Sequence, residues 1–104
     1  MFKVTVRAVQ TMVGGGLNGC RDAAAWLADH MVIITGGATI DAPSHGLWRD
    51  ANGVNVSEMG QNVWTLCENE NQVGSVRELA RDLKGMTGQD CVLVMVENIR
   101  GEFV

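Results

Sequence analysis

The chain has 104 residues, 46% of them apolar and 19% charged, and a formal net charge of −4. That apolar share is too high for a disordered chain, and the negative balance disfavours tight sequence-independent nucleic-acid binding, which needs a basic face. One domain over residues 1–104 is the expected organisation.

Phe2, Val4, Val6 and Ala8 alternate with Lys3, Thr5 and Arg7, the period of a strand buried on one face. No signal peptide precedes it and no apolar run is long enough to span a bilayer, so a cytoplasmic protein without a membrane partner is expected, in the host cytoplasm if phage-encoded. Gly14, Gly15 and Gly16 then break the regularity, where free backbone N–H groups ahead of a helix attract anions. Asn18 is an N-cap candidate, and Ala23, Ala24, Leu27, Ala28 and Met31 follow at helical spacing, predicting a helix over 19–31. The β-branched run 32–34 reads equally as a last turn or a short strand before Gly36 and Gly37.

A second strand begins at Ala38, is interrupted or bulged at Pro43, which has no N–H to donate, and resumes to Trp48. Residues 49–53, Arg-Asp-Ala-Asn-Gly, carry hairpin-turn chemistry, and a third strand runs over 54–67 with a bend allowed at Gly60. Val73, Val76, Leu79, Ala80 and Leu83 then mark the clearest amphipathic helix, ended by Gly85, Thr87 and Gly88. The unbroken apolar run 91–96 predicts a central strand, covered on both faces.

The order β-α-β-β-α-β predicts an α+β, ferredoxin-like fold: one antiparallel sheet with two helices on one face. The other face is expected to carry Val and Trp side chains that a second copy covers, making the chain a homo-oligomer.

The run Gly46-Leu47-Trp48-Arg49-Asp50-Ala51-Asn52-Gly53, the acid Glu58, and Gly88-Gln89-Asp90-Cys91-Val92-Leu93-Val94 resemble a family of small uncharacterised bacterial and bacteriophage proteins. The pattern shared with that family is a Gly-x-Trp-turn-Gly hairpin and a late Gly-Gln-x-x-Val strand. The likeness covers residues 36–104 and departs at Gly14-Gly15-Gly16 and Pro43. It implies a phage-type protein and carries no activity with it. A looser, architectural likeness is to nitrogen-regulatory signal proteins of the PII type, which are trimers and bind nucleotides between subunits beside a long hairpin loop.

Cys20, Cys67 and Cys91 are widely spaced and odd in number, which signals no zinc or redox motif. His30 and His45 lack convergent ligands, so no metal is expected; His45 is the only general-base candidate and reads more plainly as a loop histidine. Asp41, Asp50, Glu58, Glu68 and Glu70 show no spacing that singles out a catalytic pair. Tryptophan stacks bases and arginine forks onto anions, so Trp48 with Arg49, supported by Arg7, His45, Gly15 and Gly16, forms the expected ligand set. Trp26 and Trp64 read as core or interface filler.

With no catalytic set in view, the expected function is a non-catalytic oligomer that sequesters a small anionic, nucleotide-derived signal, as an anti-defence protein would, without a cofactor or a nucleic-acid polymer. The alternatives are a small hydrolase or isomerase with an interface active site, using His45 and a carboxylate, and a protein-binding inhibitor of a host enzyme.

Overall fold

The structure is a computed structural model that describes residues 1–9 and 23–104. Its elements are β1 (Phe2–Val9), α1 (Ala23–Thr35), β2 (Thr39–Ile40), β3 (Ser44–Arg49), β4 (Asn55–Cys67), α2 (Glu70–Thr87) and β5 (Val94–Asn98). All pairings are antiparallel, in the order β2-β4-β1-β5, with β3 also lying along β4. Taken as one strand broken at Pro43, β2 and β3 complete the ferredoxin-like β-α-β-β-α-β fold. The Gly14-Gly15-Gly16 loop, the Asn18 cap and Cys20 lie outside the described residues.

Both helices pack on one side of the sheet. Val4, Val6 and Ala8 of β1 and Val63 and Cys67 of β4 meet Ala24, Leu27 and Met31 of α1 and Val73, Val76 and Leu83 of α2 in one buried core. Each large apolar side chain buried there contributes about 1.5–3 kcal/mol. The β-branched residues 32–34 continue α1 rather than forming a strand. Ile34 packs against the core while Ile33 is 81% exposed, so tertiary contact on one side overrides strand propensity. The helix stops at Gly36, whose φ of +92° suits glycine and whose N–H donates to Val32 O at 2.8 Å.

At the start of α2, Asn69 Oδ1 accepts from Gln72 N at 3.0 Å, while Gln72 Oε1 accepts from Glu68 N at 2.7 Å. Gln72 Nε2 also donates to Ile34 O at 3.2 Å, tying the start of α2 to the end of α1. In the hairpin, Asp50 Oδ1 accepts from both Asn52 N and Val54 N at 2.9 Å, and Gly53 supplies the positive φ.

Two expectations need correcting. The run 91–96 is not a central strand: among the described residues β5 pairs with β1 and with no other strand, so it forms the edge of the β2-β4-β1-β5 sheet. Met95 and Val96 are each 39% exposed there. The helix-free face is not a plain Val and Trp surface either. Lys3 Nζ sits 4.5 Å above the Trp64 ring, Thr5 is buried between Trp64 and Met95, and Arg7 lies across the neighbouring strands.

Candidate functional site

Cross-strand partners project to the same side of a sheet, so register alone gathers the helix-free face. Arg7 opposes Asn62, and Thr5 opposes both Trp64 and Met95. On the hairpin Ser44 opposes Gly60, Gly46 opposes Glu58, and Trp48 opposes Val56. Counting in twos along β4 from Asn62 through Gly60 to Glu58 joins these sets on one surface.

Arg7 is pinned across three strands. Its Nη1 donates to Ser44 Oγ at 3.0 Å and to Asn62 Oδ1 at 3.5 Å, and its Nη2 donates to the Ser44 carbonyl at 2.9 Å. Two glycines give the guanidinium room. A Cβ on Gly46 would stand 3.1 Å from Nη2, and one on Gly60 would stand 3.1 Å from Cζ.

Beside this arginine is a cavity of about 640 Å³, lined by Arg7, Gly46, Leu47, Trp48, Glu58, Asn62, Leu93 and Met95 and by residues 88–91 of the connection from α2 to β5. That volume is in the range of small-molecule sites, and the mix of apolar wall with a few polar groups is their usual make-up. Among the described residues the ion pair within reach is Arg81 with Glu78, on the surface of α2. The guanidinium of Arg7 and the carboxylate of Glu58 therefore line one cavity without neutralising each other. Residue 46, opposite Glu58, has no side chain to shield that carboxylate.

A second cavity, about 380 Å³, is lined by Thr35, Gly37, Trp64, Thr65 and Phe103 among others. Its polar groups bond one another: Thr65 Oγ1 donates to Gly37 O at 2.6 Å, the Thr35 and Thr65 hydroxyls meet, and Trp64 Nε1 donates to Asp41 Oδ1 at 3.3 Å. It offers a ligand less than the first. No group of three or more His, Cys, Asp or Glu among the described residues is placed to hold a metal ion.

Of the expected ligand set, Arg7 and Trp48 come together in the larger cavity. Trp48 and Arg49 do not act as a pair, because neighbours on a strand face opposite ways. Arg49 is exposed on the other side, with Nε donating to Asn55 Oδ1 at 3.3 Å, and does not line the cavity. His45 is exposed on that same side, opposite Met59. Gly15 and Gly16 lie outside the described residues. Spacing does not choose Glu58 from the five acids, although the family resemblance includes it. Counting the hairpin register back from the 50–53 turn, which pairs Arg49 with Asn55, would have put Glu58 beside Gly46 and next to Trp48.

Among the described residues no helix is long and apolar enough to cross a membrane. No protein-family model matches the sequence, and no curated protein matches it. Solved structures do match. A phage SAM lyase in complex with S-methyl-5'-thioadenosine superposes with a TM-score of 0.63 at 15% identity, over 92% of this chain and 79% of that one. The apo state of a phage SAM lyase gives 0.59 at 15% identity, over 92% and 78%. CutA from Synechococcus elongatus PCC7942 gives 0.63 at 17% identity, over 94% and 76%. At such identities these likenesses establish the ferredoxin-like fold.

Proposed function

We propose that the larger cavity binds an adenine nucleoside carrying a sulfur-linked amino-acid side chain, and that the chain cleaves S-adenosylmethionine to methylthioadenosine. The observation that carries this reading is the coexistence of Arg7 and Glu58, neither ion-paired among the described residues, in one cavity walled by Trp48. A zwitterionic amino acid needs one cation and one anion to receive it, and a base needs an aromatic face. Among the described residues, Glu58 and Asp90 set two carboxylates against one guanidinium in this cavity, which disfavours a polyphosphate and suits a ligand with a positive sulfonium. The phage SAM lyases of the same fold supply the reaction class.

Conversion to methylthioadenosine breaks the bond from sulfur to the amino-acid chain, and its electron pair returns to sulfur, which becomes neutral. The four-carbon fragment is captured by its own carboxylate or loses a proton. The first route needs no nucleophile from the protein, because the substrate's own carboxylate forms the new C–O bond as the C–S bond breaks. The second passes its proton to a carboxylate of the cavity, Glu58 or Asp90, and neither calls on His45. An apolar wall favours the loss of charge at sulfur, because it solvates the sulfonium poorly.

The non-catalytic reading, sequestration of an anionic, nucleotide-derived signal, is supported by Arg7 and Trp48 and opposed by the two carboxylates of Glu58 and Asp90. Calorimetric titration with methylthioadenosine and with ATP, followed by chromatography of the ligand recovered from denatured protein, separates the two. Binding of methylthioadenosine supports the proposal; tight binding of ATP, recovered intact, with no affinity for the thioadenosine overturns it in favour of sequestration. Self-association belongs to the same reading: the exposed apolar edge of β5 is the kind of strand edge that proteins cover. A native mass of one subunit would remove that part.

A further inference from the structure

We infer that the Nε–Nη2 edge of Arg7 is a carboxylate-binding fork that grips the amino-acid end of the ligand; this rests on the nucleoside reading above. A guanidinium has five N–H donors. Three are used internally, two from Nη1 toward Ser44 Oγ and Asn62 Oδ1 and one from Nη2 toward the Ser44 carbonyl. The two that remain, on Nε and Nη2, lie side by side on one edge. That parallel pair is the geometry by which arginine takes a carboxylate with two bonds.

Three features mark the edge as built for a ligand rather than spare. Its side chain already lines the cavity. No carboxylate of the described residues lies within ion-pair reach of it. And the strand beneath it is cut back where the edge lies: a Cβ on Gly46 would stand 3.1 Å from Nη2 and 3.3 Å from Nε, the two atoms of the free edge. Ser44 and Asn62 hold the opposite edge, so the fork is oriented before a ligand arrives and little side-chain freedom is lost on binding. Glu58, on the same wall, is the anion left for the ligand's ammonium group.

Two unreactive thioethers probe the amino-acid end: S-adenosylhomocysteine carries its carboxylate and ammonium, methylthioadenosine carries neither, and the Arg7 variant separates the carboxylate's share. The wild-type chain should bind the former about tenfold or more tightly, and Arg7→Gln should lower that preference several-fold, leaving the part that Glu58 gives the ammonium group, with methylthioadenosine changed by no more than about twofold. Gly46→Ala, which keeps the arginine and crowds its edge, should lower the same ratio, and it serves as the test if Arg7→Gln does not fold. Equal loss of both ligands, or a wild-type chain with no preference, would overturn the fork and leave the nucleoside reading standing. Failure of the wild-type chain to bind either thioether would overturn both.

Discussion

Gly60 faces the carbonyl of Ala8 so closely that a Cβ built on it would stand 2.7 Å from that oxygen. Real contacts of that kind do not occur, so Gly60→Ala must part β1 from β4 or tilt the hairpin, and it displaces Arg7 as well. We expect a loss of about 1–3 kcal/mol, the usual range for overpacking. Gly74 in α2 has nothing within 4 Å of the same position, and Gly74→Ala should stabilise the chain by about 0.5–1 kcal/mol through helix propensity. Melting curves of the two variants should move in opposite directions.

Trp48 is 44% exposed and lines the cavity, whereas Trp26 packs on the core and stacks against His30 with ring centroids 4.3 Å apart. Replacing Trp48 by alanine should therefore weaken nucleoside binding by roughly 1–3 kcal/mol, the scale of base stacking, with little change in melting temperature. Ligand-induced change in tryptophan fluorescence should vanish with it. A fluorescence change that survives Trp48→Ala would move the binding site elsewhere.

The cysteines should differ sharply in reactivity. Cys91 is exposed and lines the cavity, while Cys67 is fully buried. Peptide mass mapping after brief alkylation should find Cys91 modified and Cys67 modified only in denaturant, and methylthioadenosine should slow the reaction at Cys91. Labelling of Cys91 unaffected by a bound ligand would argue against the cavity as its site.

Burial pushes the Cys67 thiol above its ordinary value of 9.0. Below that value the thiol is protonated in both the folded and the unfolded chain and contributes no pH dependence. Above it the unfolded chain releases the proton while the fold retains it, so stability falls as pH rises until the folded thiol also ionises. Cys67→Ala should flatten that alkaline decline in melting temperature. An identical slope in both proteins would assign the decline to other groups.

Asn69 accepts the Gln72 N–H at the start of α2. Asn69→Ala should cost about 1 kcal/mol by thermal or urea unfolding, and Asn69→Asp should retain most of the cap. Equal losses in the two variants would mean that the side-chain oxygen is not what matters there.

The fold was legible because its signals are local. The alternation of residues 2–8 and the spacing of Val73, Val76, Leu79, Ala80 and Leu83 each name one element and one buried face, and Pro43 marks the break between β2 and β3. The β5 edge was not legible, since an apolar run says that a strand is covered but not whether its own chain covers it. The site was half legible. Trp48 and Arg7 are residue types that bind ligands anywhere, but adjacency to Trp48 misled at Arg49, because a strand sends neighbours to opposite faces. Glu58 and the glycines under Arg7 are defined by the register between β3 and β4 and by contacts across 37 to 55 positions of sequence, which no local pattern records.

On the function proposed above, this cavity accepts a sulfur-bearing adenosine and breaks it. Incubation of the purified chain with S-adenosylmethionine, with products resolved by chromatography and mass spectrometry, tests it most directly. Methylthioadenosine should form in excess over protein, and its formation should be lost in Glu58→Ala and Trp48→Ala chains that still fold. S-adenosylmethionine recovered unchanged would contradict cleavage, and methylthioadenosine left unbound as well would contradict the nucleoside site.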